Sequence, residues 1–372
     1  MNQPLKRLVF AGEALVDLLM WVPSLPERGG DMLAESSSIQ VGGGFNIMAA
    51  AARQGLPVVY AGGHGTGPWG DKVRAALAAE AITILRPPDP DADTGFDVAL
   101  VEAGGERTFV TSLGAETLRT PGVWDLVRAG AGDAVYVSGY GLVAPDSGAI
   151  LGAWAAGLPA QVLLFVDPGP LIADIPAAVL GPVLSRCDWW SCNQREAALL
   201  TGSGDPAEAA RRLAARTGRA GVIVRAGPSG CVLALRAARP DAVLIPAPAV
   251  VAVDTTGAGD AHSGVFLAGL AACRARTQPC EPARTMTPAR PVRAARRRAA
   301  SAGSPVPVSR AASRWLELHQ SHRLSTGPRT AAGMSAMSGP GSTNSSTSAG
   351  SLAAQAPRMA PESGATRPYP DT

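Results

Sequence analysis

Short, continuous runs of apolar residues recur along the first 270 residues and carry the main secondary-structure signal. The runs at 134–138, 161–167 and 221–225 consist largely of valine and other aliphatic residues. Such runs are typical of strands in a parallel sheet that is buried on both faces. An earlier run at 8–12 predicts a further buried strand. Because helical patterns alternate with strands from residue 123 onward, we expect an α/β fold.

Two other segments show the pattern of a sheet with one solvated face. Residues 94–111 alternate between apolar and polar positions around Gly104 and Gly105, which predicts a β-hairpin. The segment at 32–41 is polar and predicts a half-exposed strand. Together these segments predict a small β lid beside the main sheet, with strands near 30–41 and 95–112.

The bulk composition fits a globular protein. The chain has 372 residues, enough for one large α/β domain or two smaller ones, and is 46% hydrophobic and 17% charged. The net charge is +3, but arginines are concentrated near the C-terminus, so the body is acidic and offers no nucleic-acid groove. Five cysteines without a Cys-x-x-Cys pair indicate neither a disulfide framework nor a zinc site. Without a signal peptide or an apolar run of about 20 residues, we expect a cytoplasmic protein outside the membrane.

The sequence changes character after about residue 272. Residues 273–372 are rich in arginine, proline, serine and glycine, and beyond Phe266 the only aromatic residues are Trp315 and Tyr369. Such a segment buries too little apolar surface to offset its ordering entropy. We therefore predict a folded domain at 1–272 and a low-complexity, disordered tail at 273–372. The abrupt change also suggests the hypothesis that the reading frame has shifted near codon 272.

The strongest chemical signal follows an apolar, β-branched run. The sequence Asp254-Thr-Thr-Gly257-Ala258-Gly259-Asp260 leads into an apolar segment of helical character, which predicts a strand, a glycine turn and a helix N-terminus. Helix N-termini attract anions, and Gly257 and Gly259 allow the backbone to approach a phosphate closely. Asp260 is then suited to accept a proton from a hydroxyl that attacks phosphorus. The alternative is an ordinary N-cap aspartate in a glycine turn.

This motif resembles the second signature of the ribokinase-like (PfkB) carbohydrate kinase family. The resemblance implies a three-layer, mostly parallel α/β sheet flanked by helices, with a small β lid, and ATP-dependent phosphorylation of a sugar. It also implies that Gly257, Ala258 and Gly259 form an anion hole and that Asp260 is the catalytic base. The resemblance covers about residues 5–270; the helices that close the adenine pocket in the family are not recognisable in 273–372.

The glycine triplet before the first predicted helix carries a second resemblance. Gly42, Gly43 and Gly44 stand just before Asn46. A glycine backbone can approach a sugar closely, and an asparagine amide can both donate to and accept from its hydroxyls. A flexible turn with Asn46 near the helix N-cap is the alternative. The segment resembles the family's first signature, although Met48 stands where a small residue is usual, which leaves the sugar open.

Asp17 is the second candidate for sugar binding. We expect it just past the end of the first strand, where open α/β sheets bind their ligands. Its carboxylate can accept two hydrogen bonds from a vicinal diol, or it is a solvated edge residue. The family resemblance favours a contact with the acceptor sugar. Asp17 therefore joins Gly42, Gly43 and Asn46 as the predicted substrate site.

A further group of residues is assigned to the nucleotide. Asn193 and Glu196 are spaced so that both side chains point the same way at a helix start, as a capping pair or as a polar site. The resemblance implies that they organise Mg²⁺ and its waters at the phosphates. It also implies that Asn193, Arg225, Gly227 and Gly230 contact ATP, with Arg225 replacing the more usual threonine or lysine.

One motif is discounted. The segment at 65–70 satisfies the Gly-x-Gly-x-x-Gly dinucleotide fingerprint, but Pro68 and Trp69 fill the loop that a phosphate would have to approach. We expect no cofactor there and a structural role for His64.

The sequence thus predicts an ATP-dependent sugar kinase that uses Mg²⁺, with a monovalent cation as a further candidate. A nucleoside kinase on the same fold is the alternative within enzymes. An impaired sugar-binding remnant that lacks the adenine side is the other alternative. The expected partners are the sugar and ATP. We expect no binding to nucleic acid or membrane, and a homodimer is one candidate for the oligomeric state.

Overall fold

The computed structural model describes residues 5–117, 122–144, 147–217, 219–236, 241–250, 255 and 257–275. Its strands are β1 (Arg7–Ala11), β2 (Ala14–Val22), β3 (Ser36–Gly43), β4 (Val58–Tyr60), β5 (Thr83–Ile84), β6 (Phe96–Glu102), β7 (Arg107–Ser112), β8 (Asp133–Ser138), β9 (Leu163–Asp167), β10 (Trp189–Asn193), β11 (Gly221–Arg225), β12 (Cys231–Leu235) and β13 (Ala242–Ile245). Its helices are α1 (Phe45–Arg53), α2 (Pro68–Ala79), α3 (Gly139–Val143), α4 (Ser147–Ala156), α5 (Ala177–Arg186), α6 (Gln194–Thr201), α7 (Pro206–Arg216) and α8 (Ala258–Ala275).

A large, mostly parallel sheet forms the centre of the described part of the chain. Its nine strands run in the order β13-β12-β11-β10-β9-β8-β1-β4-β5. Every pair from β11 across to β5 is parallel, whereas β12 and β13 add an antiparallel edge. The strands predicted at 134–138, 161–167 and 221–225 are β8, β9 and β11. The predicted α/β sheet is therefore confirmed.

Helices cover both faces of this sheet, which explains the continuous apolar runs. In β9, Leu164 and Val166 face one hydrophobic core, while Leu163 and Phe165 face the other. Residues of α3 to α7 pack into the first core, and residues of α1, α2 and α8 pack into the second. Because alternate side chains of each central strand enter opposite cores, nearly every position must be apolar.

A row of aromatic rings fixes α8 on the sheet. Phe10 stacks on Tyr136 with ring centroids 5.0 Å apart, and Tyr136 stacks on Phe165 at 5.4 Å. Phe266 of α8 completes the row, 5.9 Å from Phe165. Offset aromatic pairs of this kind add stabilisation beyond the area that they bury. The row therefore anchors the helix that carries the glycine motif.

Close packing brings α8 against α1. A Cβ atom on Gly264 would lie 2.3 Å from the carbonyl oxygen of Ile47, so only glycine fits at this crossing. The contact holds two helices together that each begin with a predicted functional segment, Asn46 in α1 and Asp260 in α8.

A second sheet of four strands, in the order β3-β2-β6-β7, forms the predicted lid. The hairpin expected at 94–111 is β6 and β7, and its turn uses Gly105 at φ +82°. The expected position of Asp17 was wrong, because it does not follow the end of β1. It lies inside β2, a separate lid strand that pairs with both β3 and β6. Gly12, which sits between β1 and β2, marks the place where the chain leaves the main sheet.

Two expectations fall on residues outside the described ranges. The strand predicted before the glycine turn lies largely at 251–254, and residues 276–372 of the predicted tail lie outside the described ranges. The first three residues of that predicted tail, 273–275, belong to α8. Among the described helices, none has both the length and the apolar character that a membrane span requires.

Candidate active site

The start of α8 brings three predicted residues together. Gly257 has φ +65°, a left-handed conformation that favours glycine. A Cβ atom at this position would also lie 2.7 Å from the side-chain nitrogen of Asn46. Asp260 follows in the first turn of the helix and forms a side-chain hydrogen bond with Asn46. The first and second sequence motifs therefore meet at one point.

The protonation of Asp260 is set by its surroundings. Burial, and next the Asp167 carboxylate, raise the pKa of Asp260 to about 7. Arg225 and the hydrogen bond from Asn46 act against this rise. A carboxyl group with a pKa near neutral pH is matched to accept and release a proton under ordinary conditions.

Arg225 links the ends of three neighbouring strands. Its Nη1 lies 2.6 Å from Oδ2 of Asp167, its Nη2 lies 3.9 Å from Oε2 of Glu196, and it also donates to the hydroxyl of Ser191. Burial alone would lower the pKa of Arg225, but Asp167 and Glu196 raise it above its usual value. The guanidinium is therefore permanently charged at this edge of the sheet.

The glycine turn lies against this cation. A Cβ atom on Gly259 would be 3.2 Å from Nε of Arg225. The N–H of Ala258 donates to the carbonyl oxygen of Thr255 at 3.1 Å, whereas the N–H of Gly259 has no partner among the described residues. Arg225 thus supplies positive charge beside the first turn of α8.

Asn193 and Glu196 form a complete capping box at the start of α6. The backbone N–H of Asn193 donates to Oε2 of Glu196 at 2.7 Å, and the N–H of Glu196 donates to Oδ1 of Asn193 at 2.8 Å. The Asn193 side chain also donates to Oε1 of Glu196 at 2.7 Å. Asn193 and Glu196 therefore form the capping pair that was the alternative to a polar site. Burial raises the pKa of Glu196, and Asp167 adds to the rise.

These contacts limit how Mg²⁺ fits. Both carboxylate oxygens of Glu196 already accept one hydrogen bond each from Asn193. Each oxygen keeps a further lone pair that can accept from a metal-bound water. Across the described ranges, no group of three or more His, Cys, Asp or Glu side chains has metal-site geometry. The residues thus fit an ion held through water rather than a direct protein cage.

The two glycines after β11 differ in their surroundings. Gly227 has φ +53°, and a Cβ atom there would meet nothing within 4 Å, so its backbone faces open space. Gly230 has φ +97°, and a Cβ atom there would lie 2.0 Å from the carbonyl oxygen of Ile245. Gly227 is therefore accessible to a nucleotide, whereas packing against the segment after β13 already requires glycine at 230.

The glycine triplet makes room for side chains of the lid and sheet. A Cβ atom on Gly42 would lie 2.0 Å from Oδ2 of Asp17, and one on Gly44 would lie 1.9 Å from the ring of Phe10. Gly43 has φ +57°. Gly42 therefore leaves space for the Asp17 carboxylate, which is 5% exposed. Burial, together with Asp97 and Asp260, raises the pKa of Asp17 to about 7.

Sequence reasoning missed Asp97. It lies in β6 directly opposite Asp17, and it is 8% exposed. Burial raises the pKa of Asp97 to about 6. An acidic residue at a buried position of an alternating strand was the available signal, but only the pairing of β2 with β6 places it beside Asp17.

In the glycine loop at 65–70, which we discounted as a cofactor site, a side chain of the protein itself binds the backbone N–H groups. Oδ2 of Asp93 accepts from the N–H of Trp69 at 3.1 Å, and Oδ1 accepts from the N–H of Gly70 at 2.7 Å. An internal carboxylate thus takes the amides that a phosphate would need. His64 is buried and bonds the carbonyl oxygen of Arg86 at 3.0 Å, which agrees with a structural role.

Comparison with known proteins gives a consistent result. The family model described as pfkB family carbohydrate kinase matches residues 5–306, a range that extends past residue 270, where the motif resemblance ends. The uncharacterised sugar kinase YegV of Escherichia coli is 33% identical over 278 residues, which cover 71% of this chain and 82% of that protein. Fructokinase of Klebsiella pneumoniae is 32% identical over 273 residues, covering 70% and 83%.

Solved structures agree at the level of the fold. Ribokinase of Arabidopsis thaliana, in a complex with ribose and ATP, has a TM-score of 0.56 and 21% identity, covering 73% of this chain and 86% of that one. The family match spans most of the sequence, and it includes both glycine motifs that meet at the start of α8. The chain is therefore a member of the PfkB family of carbohydrate kinases.

Proposed function

We propose that this chain transfers the γ-phosphoryl group of ATP to a hydroxyl group of a sugar, with Asp260 as the general base. The observation that carries the proposal is the meeting of Asp260, Asn46 and the glycine turn at the N-terminus of α8. Relatives named fructokinase and ribokinase support a sugar as acceptor.

Asp260 accepts the proton of the attacking hydroxyl in the proposed reaction. Its pKa of about 7, raised mainly by burial, keeps a useful fraction of the carboxylate ionised at neutral pH. The same value makes the carboxylate a stronger base than an exposed aspartate. The hydrogen bond with Asn46 holds the carboxylate in one orientation toward the acceptor.

The start of α8 stabilises negative charge on the phosphoryl group. We assign the anion hole to the backbone N–H groups of Gly257, Ala258 and Gly259, supported by the helix dipole. Ala258 must give up its bond to Thr255 to take part. Arg225 adds a fixed positive charge next to Gly259.

The nucleotide side uses the strand ends beside Arg225. We assign ATP contacts to Asn193, Arg225, Gly227 and Gly230. Mg²⁺, when bound with ATP, would neutralise part of the negative charge on the phosphates. Glu196 and Asn193 would hold its waters. Their remaining lone pairs can accept hydrogen bonds from these waters while the capping box stays intact.

The acceptor side is formed by the lid and the start of α1. We assign sugar hydroxyls to Asp17, Gly42, Gly43 and Asn46. The support is that Asp17 is buried against Gly42 and that Asn46 bonds Asp260, so the sugar-binding groups adjoin the base.

The test is ADP release by the full chain with Mg²⁺ and ATP, over a panel of pentoses, hexoses and nucleosides. Asp260→Asn keeps the shape of the side chain but removes its basicity. We expect it to lower kcat by on the order of 10² to 10⁴, the usual share of a general base. Unchanged turnover in this variant would refute the assignment of Asp260.

The same panel separates the alternatives. Turnover with nucleosides but not sugars would favour a nucleoside kinase. Thermal stabilisation by a sugar without ADP release would favour an impaired sugar-binding protein. Turnover with sugars in the wild type and its loss in Asp260→Asn would support the proposed kinase.

A further inference from the structure

Two carboxylates lie side by side on one face of the lid. β2 and β6 run parallel, and Asp17 is the direct partner of Asp97 in their register. Neighbouring strands are about 4.8 Å apart, and directly paired residues point to the same face. Both side chains are buried, at 5% and 8% exposure. This arrangement is costly unless something compensates for the charge.

The described residues supply no such compensation. Neither Asp17 nor Asp97 forms an ion pair within the described ranges. Oδ1 of Asp97 is buried and has no hydrogen-bond partner there. Arg225, the cation of the candidate active site, is already bound to Asp167. Oδ1 of Asp97 therefore has the capacity to accept a hydrogen bond from a ligand.

The pair adjoins the residues at the start of α1. A Cβ atom on Gly42, just before α1, would lie 2.0 Å from Oδ2 of Asp17, and Asn46 at the start of α1 lies against Gly257. Burial, together with Asp260 and Asp97, raises the pKa of Tyr140 to about 12. The pKa of Asp17 is likewise raised by burial first, then by Asp97 and by Asp260. The pair therefore belongs to the acceptor side of the site.

The chemistry of the pair selects among acceptors. An ammonium group carries three donors and a positive charge, so it can serve both carboxylates at once. A hydroxyl carries one donor and no charge. A carboxylate or phosphate on the acceptor would be repelled by Asp17 and Asp97.

We propose that the acceptor pocket binds a sugar that carries a protonated amino group, and that Asp17 and Asp97 bind this group together. The proposal deepens the sugar kinase function and rests on it for catalysis. It makes Asp97 the residue that determines specificity, because Asp97 is the member of the pair with an unpartnered buried oxygen.

The test compares matched sugars at a pH where the amine is protonated. The probes are D-glucosamine, D-galactosamine and D-mannosamine, each beside its parent hexose and its N-acetyl derivative. Two readouts are taken: thermal stabilisation of the full chain without nucleotide, and kcat/KM from ADP release. We expect at least one amino sugar to exceed its parent by about tenfold or more in kcat/KM, as a charge-assisted contact should. Its N-acetyl form should lose this advantage.

Variants assign the preference to Asp97. Asp97→Asn should reduce the preference for the amino sugar by about tenfold, while unliganded protein melts no lower than the wild type because a like-charge pair is relieved. Asp97→Ala provides a second variant without a side-chain amide. Glu102→Gln removes one charge from the opposite face of the same strand and is the matched control, with the preference unchanged.

Two results would overturn the inference. One is a wild-type chain that phosphorylates or binds the parent hexoses at least as well as every amino sugar. The other is an amino-sugar preference that survives in both Asp97 variants. Failure of the kinase function looks different: no ADP release with any acceptor, but stabilisation by an amino sugar that depends on Asp97, would support the pocket and reject catalysis.

Discussion

Arg225 is the residue on which the charges of the site depend. It neutralises Asp167 directly, it lies near Glu196, and it borders the glycine turn at Gly259. It also lowers the pKa of Asp260 against the effect of burial. A substitution here should therefore change both the stability of the fold and the acid–base behaviour of the base.

Arg225→Met should lower the free energy of unfolding by about 3–5 kcal/mol, because it leaves Asp167 buried without its cation. The Arg225 side chain is 16% exposed, so solvent screens the pair little. Urea denaturation measures the loss. Arg225→Lys, which keeps the charge, should lose less, and equal losses in the two variants would contradict the role of the charge.

The pKa of Asp260 predicts a pH dependence. Burial raises this pKa to about 7, so the base form is present above pH 7 and is lost as the pH falls through that value. We expect kcat at saturating sugar to fall tenfold per pH unit on the acid side, as for one proton. Asn46→Ala should move this limb to higher pH, since the Asn46 hydrogen bond lowers the pKa.

The control for that profile is Asp17→Asn, because the pKa of Asp17 also lies at about 7. This variant should weaken sugar binding and keep the acid limb, which moves only slightly to lower pH because the charges of Asp17 and Asp260 are coupled. A profile without an acid limb, or one that moves with Asp17 alone, would contradict Asp260 as the titrating base.

At the scale of elements, the close approach of β2 and β3 gives Gly42 a specific role. A methyl group there would overlap the Asp17 carboxylate, at 2.0 Å from Oδ2. Gly42→Ala should displace that carboxylate and raise the KM for the sugar on the order of 10², with little change in the KM for ATP. Steady-state kinetics with each substrate varied in turn measures the difference.

Gly104→Ala is the matched control, because a Cβ atom in this lid turn meets nothing within 4 Å. It should leave both KM values unchanged. Equal effects of Gly42→Ala and Gly104→Ala would mean that general lid flexibility, not the position of Asp17, is responsible.

The start of α6 combines capping with a proposed metal role, and one substitution separates the two. Glu196→Gln keeps an oxygen for the N–H of Asn193 but loses the charge. We expect a modest loss of about 1 kcal/mol in unfolding free energy and an increase of about tenfold in the Mg²⁺ concentration for half-maximal activity. Urea denaturation measures the unfolding free energy, and ADP release as a function of free Mg²⁺ measures the metal requirement. An unchanged Mg²⁺ requirement would mean that Glu196 acts only as a helix cap.

At the scale of the whole molecule, the parallel strands of the main sheet bring the residues of the candidate site together. Asp167, Asn193 and Arg225 end the adjacent strands β9, β10 and β11, and Asn193 is in register with Arg225. Parallel strands bring their carboxyl ends to one edge, where open α/β sheets bind ligands. The lid and α8 then close the space between this edge and the start of α1.

Sequence patterns predicted the elements better than the contacts between them. Continuous apolar runs identified β8, β9 and β11, and the glycine motif identified the start of α8. The position of Asp17 in β2 was missed, because β1 and β2 form one nearly unbroken apolar run. The Asn193 and Glu196 pair was left open between cap and site, since both uses require the same spacing.

The sequence by itself determined the α/β class, the glycine turn at 257–259 and the family. These features depend on hydrophobic periodicity and local backbone conformation, which are set by residues close together in the sequence. The tertiary structure alone decided which distant side chains meet. The hydrogen bond between Asn46 and Asp260, the ion pair of Asp167 with Arg225 and the pairing of Asp17 with Asp97 all join separate elements. Such contacts depend on strand order and register, which no local pattern specifies.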